Sequence, residues 1–231
     1  MNDIDCGIDS NRPLSCGADH TVRLWRVQEE SHLVYRGQKS IVDTISVLTG
    51  DSFVSGDENG SICVWKMTQK RPSAEITRAH GTYSDMSVCS NISGTTNNNT
   101  NNTPNTPNKP NTNANNRWIS SLSAIRMSDT FASGSSDGYV RLWSVDMNKN
   151  RHEMCKCISK IATPGFVNGL ILTPNLLVAG TGREHKLGRW WCLPGNKNKV
   201  CITKLPRLDV LEEIEEESDC DSEIDSMSDS D

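Results

Sequence analysis

The sequence lacks any run of 18 apolar residues, and its opening stretch, MNDIDCGIDS, has neither the basic flank nor the apolar segment of a secretory signal. These absences argue against a spanning helix and against export, and they point to a cytosolic or nuclear compartment. Nine cysteines are present, at positions 6, 16, 63, 89, 155, 157, 192, 201 and 220, yet no CxxC pair and no Cys/His spacing suited to zinc occurs among them. Their odd number and apolar settings read as reduced thiols. No GxSxG elbow and no phosphate-binding loop is found, so the sequence predicts no enzyme, no cofactor and no metal. Aromatic residues are scarce at 5%, while 35% of residues are hydrophobic and 23% charged, a balance that suits one modest globular domain with appendages.

Basic residues are missing altogether from positions 208–231, which hold 12 acidic side chains. All 24 Lys and Arg therefore lie in positions 1–207 beside 17 acids, a net of +7 there against −5 for the whole chain. The body is basic and the tail acidic. Such a tail is expected to stay solvated and disordered.

Internal repetition organises the rest. Four segments share an apolar run, a turn, and a second apolar run ending in Trp: PLSCGADHTVRLW (13–25), SFVSGDENGSICVW (52–65), TFASGSSDGYVRLW (130–143) and LLVAGTGREHKLGRWW (176–191). Trp25 and Trp65 are 40 residues apart, and Trp143 and Trp190 are 47 apart. The interval from Trp65 to Trp143 is 78, and an insertion accounts for the excess: residues 91–116 contain 12 Asn, with Thr and Pro making up most of the remainder. Having almost no apolar side chains to offset the entropy of ordering, that stretch is expected to be a disordered loop. Asn59-Gly60 and Asp137-Gly138 read as hairpin turns, and the nearly continuous apolar runs ICVW and VRLW read as strands buried on both faces. A period of roughly 40 to 45 residues with four strands per unit predicts an all-β protein, a β-propeller of the WD40 type with about four blades. The expected organisation is a partial propeller over 1–207, interrupted at 91–116, and a Ser-rich acidic tail over 208–231.

Ala79-His80-Gly81 precedes the third repeat and is similar to the Gly-His element that opens a WD40 unit, which marks His80, Ser133, Asp137 and Trp143 as a structural hydrogen-bonded tetrad. A hydrolase triad is disfavoured because Ser133 falls on a buried strand. In the first two repeats Asp19 and Asn59 take the turn position, and Glu184 takes it in the last. Cys155 and Cys157, two thiols without a partner pair, read as ordinary strand residues. Trp190 and Trp191 point to opposite faces of one strand and read as packing residues.

Where WD40 repeats carry an aspartate after the Trp, this chain has Arg26, Lys66, Ser144 and Trp191. The strings HTVRLWRVQEESHLVYRG (20–37), SFVSGDENGSICVWKMTQKRP (52–72), WISSLSAI (118–125), VAGTGREHKLGRWW (178–191) and VCITKLPR (200–207), in that order, resemble the family of U3 small nucleolar RNA-interacting WD40 proteins, in its carboxyl-terminal half. The resemblance implies a seven-bladed ring in the family, of which four blades are found here. It also implies a nucleolar, nuclear, non-enzymatic scaffold that binds U3 small nucleolar RNA and other snoRNP and processome proteins, with no membrane and no small-molecule substrate. The process implied is pre-ribosomal RNA processing toward the small ribosomal subunit. For RNA contact the candidates are Arg183, His185, Lys186 and Arg189 in a predicted projecting turn, and Lys66, Lys70, Arg71 and Arg78 between the second and third repeats. Ser218, Ser222, Ser226 and Ser228 each precede an acid by three positions, a pattern similar to that of acidophilic kinase substrates. The competing reading is a WD40 adaptor of another pathway, a ubiquitin-ligase substrate receptor or a chromatin-binding module.

Overall fold

In the computed structural model the described residues are 1–7, 11–82, 116–193 and 195–206, with the backbone alone described for 189–191. Most of the insertion, the acidic tail and its four serines lie outside the described residues.

The chain folds as consecutive antiparallel meanders. The first sheet runs β1 (Asp3–Cys6), β2 (Pro13–Cys16), β3 (Thr21–Arg26), β4 (Ser31–Arg36), and the second runs β5 (Val42–Thr49), β6 (Ser52–Asp57), β7 (Ile62–Lys66), β8 (Ala74–Ile76). The third comprises β9 (Ser121–Ala124), β10 (Thr130–Gly134), β11 (Tyr139–Val145) and β12 (Cys155–Ala162). Gly60 and Gly138 adopt φ of +75° and +84°, the left-handed turn conformation that Asn-Gly and Asp-Gly pairs supply. Each sheet packs face to face on the next. Alternation along the strands makes this possible: Val64 and Ile62 of β7 join the core between the second and third sheets, while Cys63 and Trp65 join the core between the first and second. On β11, Trp143 faces the second sheet and Leu142 the fourth. The expected burial on both faces therefore holds for ICVW and the second VRLW. It does not hold for the first VRLW, where Trp25 stays 39% exposed on the outer face of the first sheet.

The fourth sheet departs from the repeat reading. β13 (Phe166–Thr173) pairs with β14 (Leu176–Gly182), but β14 then pairs with β17 (Lys199–Lys204), Ala179 opposite Cys201. The run ending in Trp190 and Trp191 forms instead a separate two-stranded hairpin of β15 (Glu184–His185) and β16 (Gly188–Cys192). The 47-residue interval is thus not a blade period. The RWW run has the local apolar character of a third strand, whereas the strand that pairs, KVCITK, alternates exposed Val200 and Ile202 with partly buried residues and ends without Trp.

The strands β1, β5, β9 and β13 neighbour one another from sheet to sheet and line the inside of the array. Side chains stitch them together. Thr44 Oγ1 donates to Asp3 Oδ2 (3.0 Å) and accepts Leu122 N–H (3.2 Å), while Ser46 Oγ donates to Asp5 Oδ2 (3.4 Å) and accepts Ala124 N–H (3.0 Å). Ser123 Oγ accepts Leu172 N–H at 3.0 Å, which extends the belt to the fourth sheet.

Candidate nucleic-acid interface

The third blade brings His80, Ser133, Asp137 and Trp143 together. Trp143 Nε1–H donates to Ser133 Oγ (2.8 Å), Ser133 Oγ lies 2.7 Å from His80 Nε2, and His80 Nδ1 lies 2.9 Å from Asp137 Oδ2. Arg141 donates to the same Asp137 oxygen (3.0 Å) and to the Ala79 carbonyl. Burial holds the imidazole below its usual range against the pull of Asp137, so the ring is neutral at pH 7. Burial alone would raise the Asp137 carboxyl, but the hydrogen bond from His80 and the nearby Arg141 keep it low and ionised. One wiring satisfies every atom: indole to Ser133, Ser133 hydroxyl to Nε2, Nδ1–H to the carboxylate. Ser133 is fully buried and its oxygen already receives the indole proton, so no substrate carbonyl can reach it. The order Asp-His-Ser is that of a hydrolase, yet the geometry is that of a strut.

Part of the set recurs in the first two blades. Trp25 donates to Ser15 Oγ (2.9 Å) and Trp65 to Ser55 Oγ (2.7 Å), each across ten residues. In the second blade Gln38 takes the place of the histidine, its Oε1 accepting Ser55 O–H at 2.7 Å. The Ser-x9-Trp spacing was the signal for this, and it fails in the fourth repeat, where Gly180 stands ten before Trp190.

Among the proposed RNA contacts, Arg183 and Lys186 are exposed on the β15–β16 hairpin, and Arg189 lies on β16 with its side chain outside the described atoms, as are those of Trp190 and Trp191. His185 requires a correction. It is 4% exposed, packed edge-on against Trp118 (5.3 Å) and Phe166 (5.7 Å), and burial with the neighbouring Lys186 charge lowers its pKa to about 4. A neutral, enclosed ring cannot serve as a cationic phosphate contact. The second cluster is split. Lys66 donates to the Met147 carbonyl (3.4 Å) at the junction of the second and third blades, Lys70 and Arg71 border an outer-rim cavity of about 430 Å³ with His32 and Arg36, and Arg78 is exposed in the turn that leads to His80.

The inner rim carries two raised carboxyls that sequence reasoning did not single out. Burial pushes Asp43 up to about 6, opposed by the field of Lys186, which brings the hairpin's charge toward β5. Burial also pushes Asp57 up to about 6, opposed by the Ser61 N–H bonded to Oδ1 at 2.7 Å. Cys155 and Cys157 lie on β12, and burial pushes the Cys155 thiol up to about 12. Among the described residues no group of three or more His, Cys, Asp or Glu is placed to hold a metal.

The model of the WD domain, G-beta repeat, matches residues 109–144. The chain is 34% identical over 197 residues to U3 snoRNP-associated protein-like EMB2271 of Arabidopsis thaliana, covering 84% of this chain and 36% of that protein. It is 33% identical over 183 residues to U3 small nucleolar RNA-interacting protein 2 of Homo sapiens, covering 78% of this chain and 33% of that one. Among solved structures it is similar to one titled "Structure of U3-55K", with a TM-score of 0.67 at 32% identity, covering 84% of this chain and 52% of that one. The chain thus spans about a third of the length of these curated relatives. By repeat pattern, blade architecture and sequence identity over most of its own length, it is similar to the WD40-repeat proteins named for U3 small nucleolar RNA interaction.

Proposed function

We propose that the chain is a non-enzymatic scaffold that binds U3 small nucleolar RNA within the small-subunit processome, acting in the nucleolus in pre-ribosomal RNA processing toward the small ribosomal subunit. Its further partners would be other snoRNP and processome proteins. The observation that carries the reading is the sequence identity to relatives named for U3 RNA interaction, which extends over most of this chain. Exposed Arg183 and Lys186 on one hairpin, and Lys70 and Arg71 on the outer rim, support it by offering cations to phosphates. The buried, fully bonded Ser133 supports a scaffold over an enzyme.

The acidic tail over 208–231 is proposed to compete with RNA for the basic body. Phosphorylation at Ser218, Ser222, Ser226 or Ser228 would add about −1.5 to −2 charges each and strengthen that competition. Sequencing the RNAs crosslinked to the chain in cells tests the main reading: U3 enrichment is expected. Recovery of peptide partners with no enriched RNA would favour a protein adaptor instead.

A further inference from the structure

β4 (Ser31–Arg36) is the outermost strand of the first sheet, and its register with β3 runs unbroken from Arg26 opposite Ser31 to Thr21 opposite Arg36. Arg36 N–H points away from β3 and donates to the Lys70 carbonyl at 3.3 Å. Antiparallel strands send the backbone groups of alternate residues to opposite sides, so those of His32 and Val34 point the same way as Arg36. Neither has a backbone partner on that side among the described residues. The other outer edges are guarded: β8 is three residues long, β12 carries Lys156 and Lys160 and a break in its register, and β17 carries Lys199 and Lys204. Short strands, bulges and lysines keep a further strand from pairing, and β4 has none of them.

The cavity of about 430 Å³ on the outer rim lies beside this open edge, lined by His32, Leu33, Val34, Arg36, Lys70 and Arg71. Leu33 and Val34 are half-buried and the other four exposed. No carboxylate lines it, and Arg36, Lys70 and Arg71 have no ion-pair partner among the described residues. Glu29 and Glu30 stand in the turn at the far end of β4 from Arg36, and Glu29 is paired with Arg26. The groove thus sets three uncommitted cations beside an unpaired strand edge.

The acidic tail carries a pattern that suits both. In residues 218–231, SDCDSEIDSMSDSD, all six acids stand at odd positions, from Asp219 and Asp221 to Asp231, and no Lys, Arg, Pro or Gly occurs. An extended strand of this sequence puts every carboxylate on one face. We infer that this segment lies along the β4 edge, exchanging backbone hydrogen bonds with His32 and Val34 while its carboxylates meet Arg36, Lys70 and Arg71. The 13 residues from Leu205 to Glu217 reach up to roughly 43 Å at about 3.3 Å each. Three sheet-to-sheet steps of about 10 Å separate the fourth sheet from the first, so the chain can make the contact with its own tail. RNA could use the cations, but it has no strand backbone to pair with the edge. This inference rests on the competition between tail and RNA proposed above, and it gives that competition a place.

Amide exchange in the full chain, followed residue by residue by NMR, tests it at about 0.01 M and about 1 M salt, where charges are screened beyond about 30 Å and about 3 Å. The His32 and Val34 amides should exchange at least about tenfold more slowly at low salt than at high salt. Lys70→Glu together with Arg71→Glu should abolish that protection, while the amides of Leu33 and Tyr35, paired to β3, report that the blade is intact. Zero-length carbodiimide crosslinking of the parent should join Lys70 to carboxylates of residues 218–231. Crosslinks from those carboxylates to other lysines of the body, with His32 and Val34 unprotected, would overturn the groove and leave the tail's competition with RNA standing. Tail carboxylates that reach no lysine of residues 1–186 would overturn both. Protection that appears only on adding single-stranded RNA, or that grows with protein concentration, would overturn the inference by assigning the groove to RNA or to the tail of a second copy.

Discussion

Trp143 donates its indole proton to Ser133 across 2.8 Å and ten residues of chain, and Trp65 repeats the contact with Ser55. In each case the indole also stacks on a phenyl ring of the neighbouring strand, Phe131 at 6.1 Å and Phe53 at 5.6 Å between centroids. The hydrogen bond fixes the orientation of a side chain whose burial carries most of the energy.

Trp143→Ala should therefore destabilise the fold by about 3 to 5 kcal/mol, through the cavity and the lost transfer energy together. His80→Ala, which removes a smaller polar side chain, should cost less. Urea denaturation of both variants beside the parent measures the difference, and a Trp143→Ala protein as stable as the parent would contradict the packing described here.

The belt between inner strands makes a separate prediction. Ser46→Ala leaves the buried Ala124 N–H without its Ser46 acceptor and removes one of the hydrogen bonds to Asp5, which keeps that from Val47 N–H, at an expected cost of about 1 to 3 kcal/mol. Alanine at exposed Ser31 should change stability by no more than about 0.5 kcal/mol. Hydrogen exchange at Ala124 should accelerate in the first variant and not in the second.

Asp43 and Asp57, both raised by burial to about 6 from an ordinary value near 3.8, make stability depend on pH. Between those values the folded state binds more protons than the unfolded one, so their contribution is fully present below about pH 4 and is lost as pH rises through about 6. Over the same window the buried His80 and His185, both held below their ordinary range, act with the opposite sign, so the two carboxyls are read by difference from the parent. Asp43→Asn and Asp57→Asn should each shift the change in melting temperature from pH 5 to pH 7.5 in the positive direction relative to the parent, and an unchanged difference in the double variant would assign no pH dependence to these carboxyls.

Reversing Arg183 and Lys186 to Glu should weaken RNA binding and reduce its salt dependence, since each lost phosphate contact releases fewer counterions. Filter binding from low to moderate salt reads both quantities. The Lys186→Glu change should also raise Asp43 further, because the cation that restrains it becomes an anion.

Much of this was legible in the sequence. Three repeats were visible from their turns and terminal Trp residues, and the likeness of Ala79-His80-Gly81 to the opening element of a WD40 unit marked His80, Ser133, Asp137 and Trp143. The fourth blade was misread because strand pairing is a long-range choice: nothing in a local window says that β14 will skip the RWW run and pair with residues 199–204. His185 was misread for a related reason. It stands between Glu184 and Lys186 and looks like part of a charged turn, yet Trp118 and Phe166, distant in sequence, close over it. The inner belt escaped notice because Thr44 and Ser46 are ordinary strand residues until a neighbouring sheet presents its backbone to them.

Because each of the three cores among the described residues lies between successive sheets, these residues form an array of nearest neighbours in which none of the three cores joins the first sheet to the fourth. Opening such an array from either end breaks one interface, whereas freeing an interior sheet breaks two. Amides of β6, β7, β10 and β11 should then exchange last, and those of β4 and β17 first. Cooperativity would pass along the chain of sheets rather than spread through one common centre.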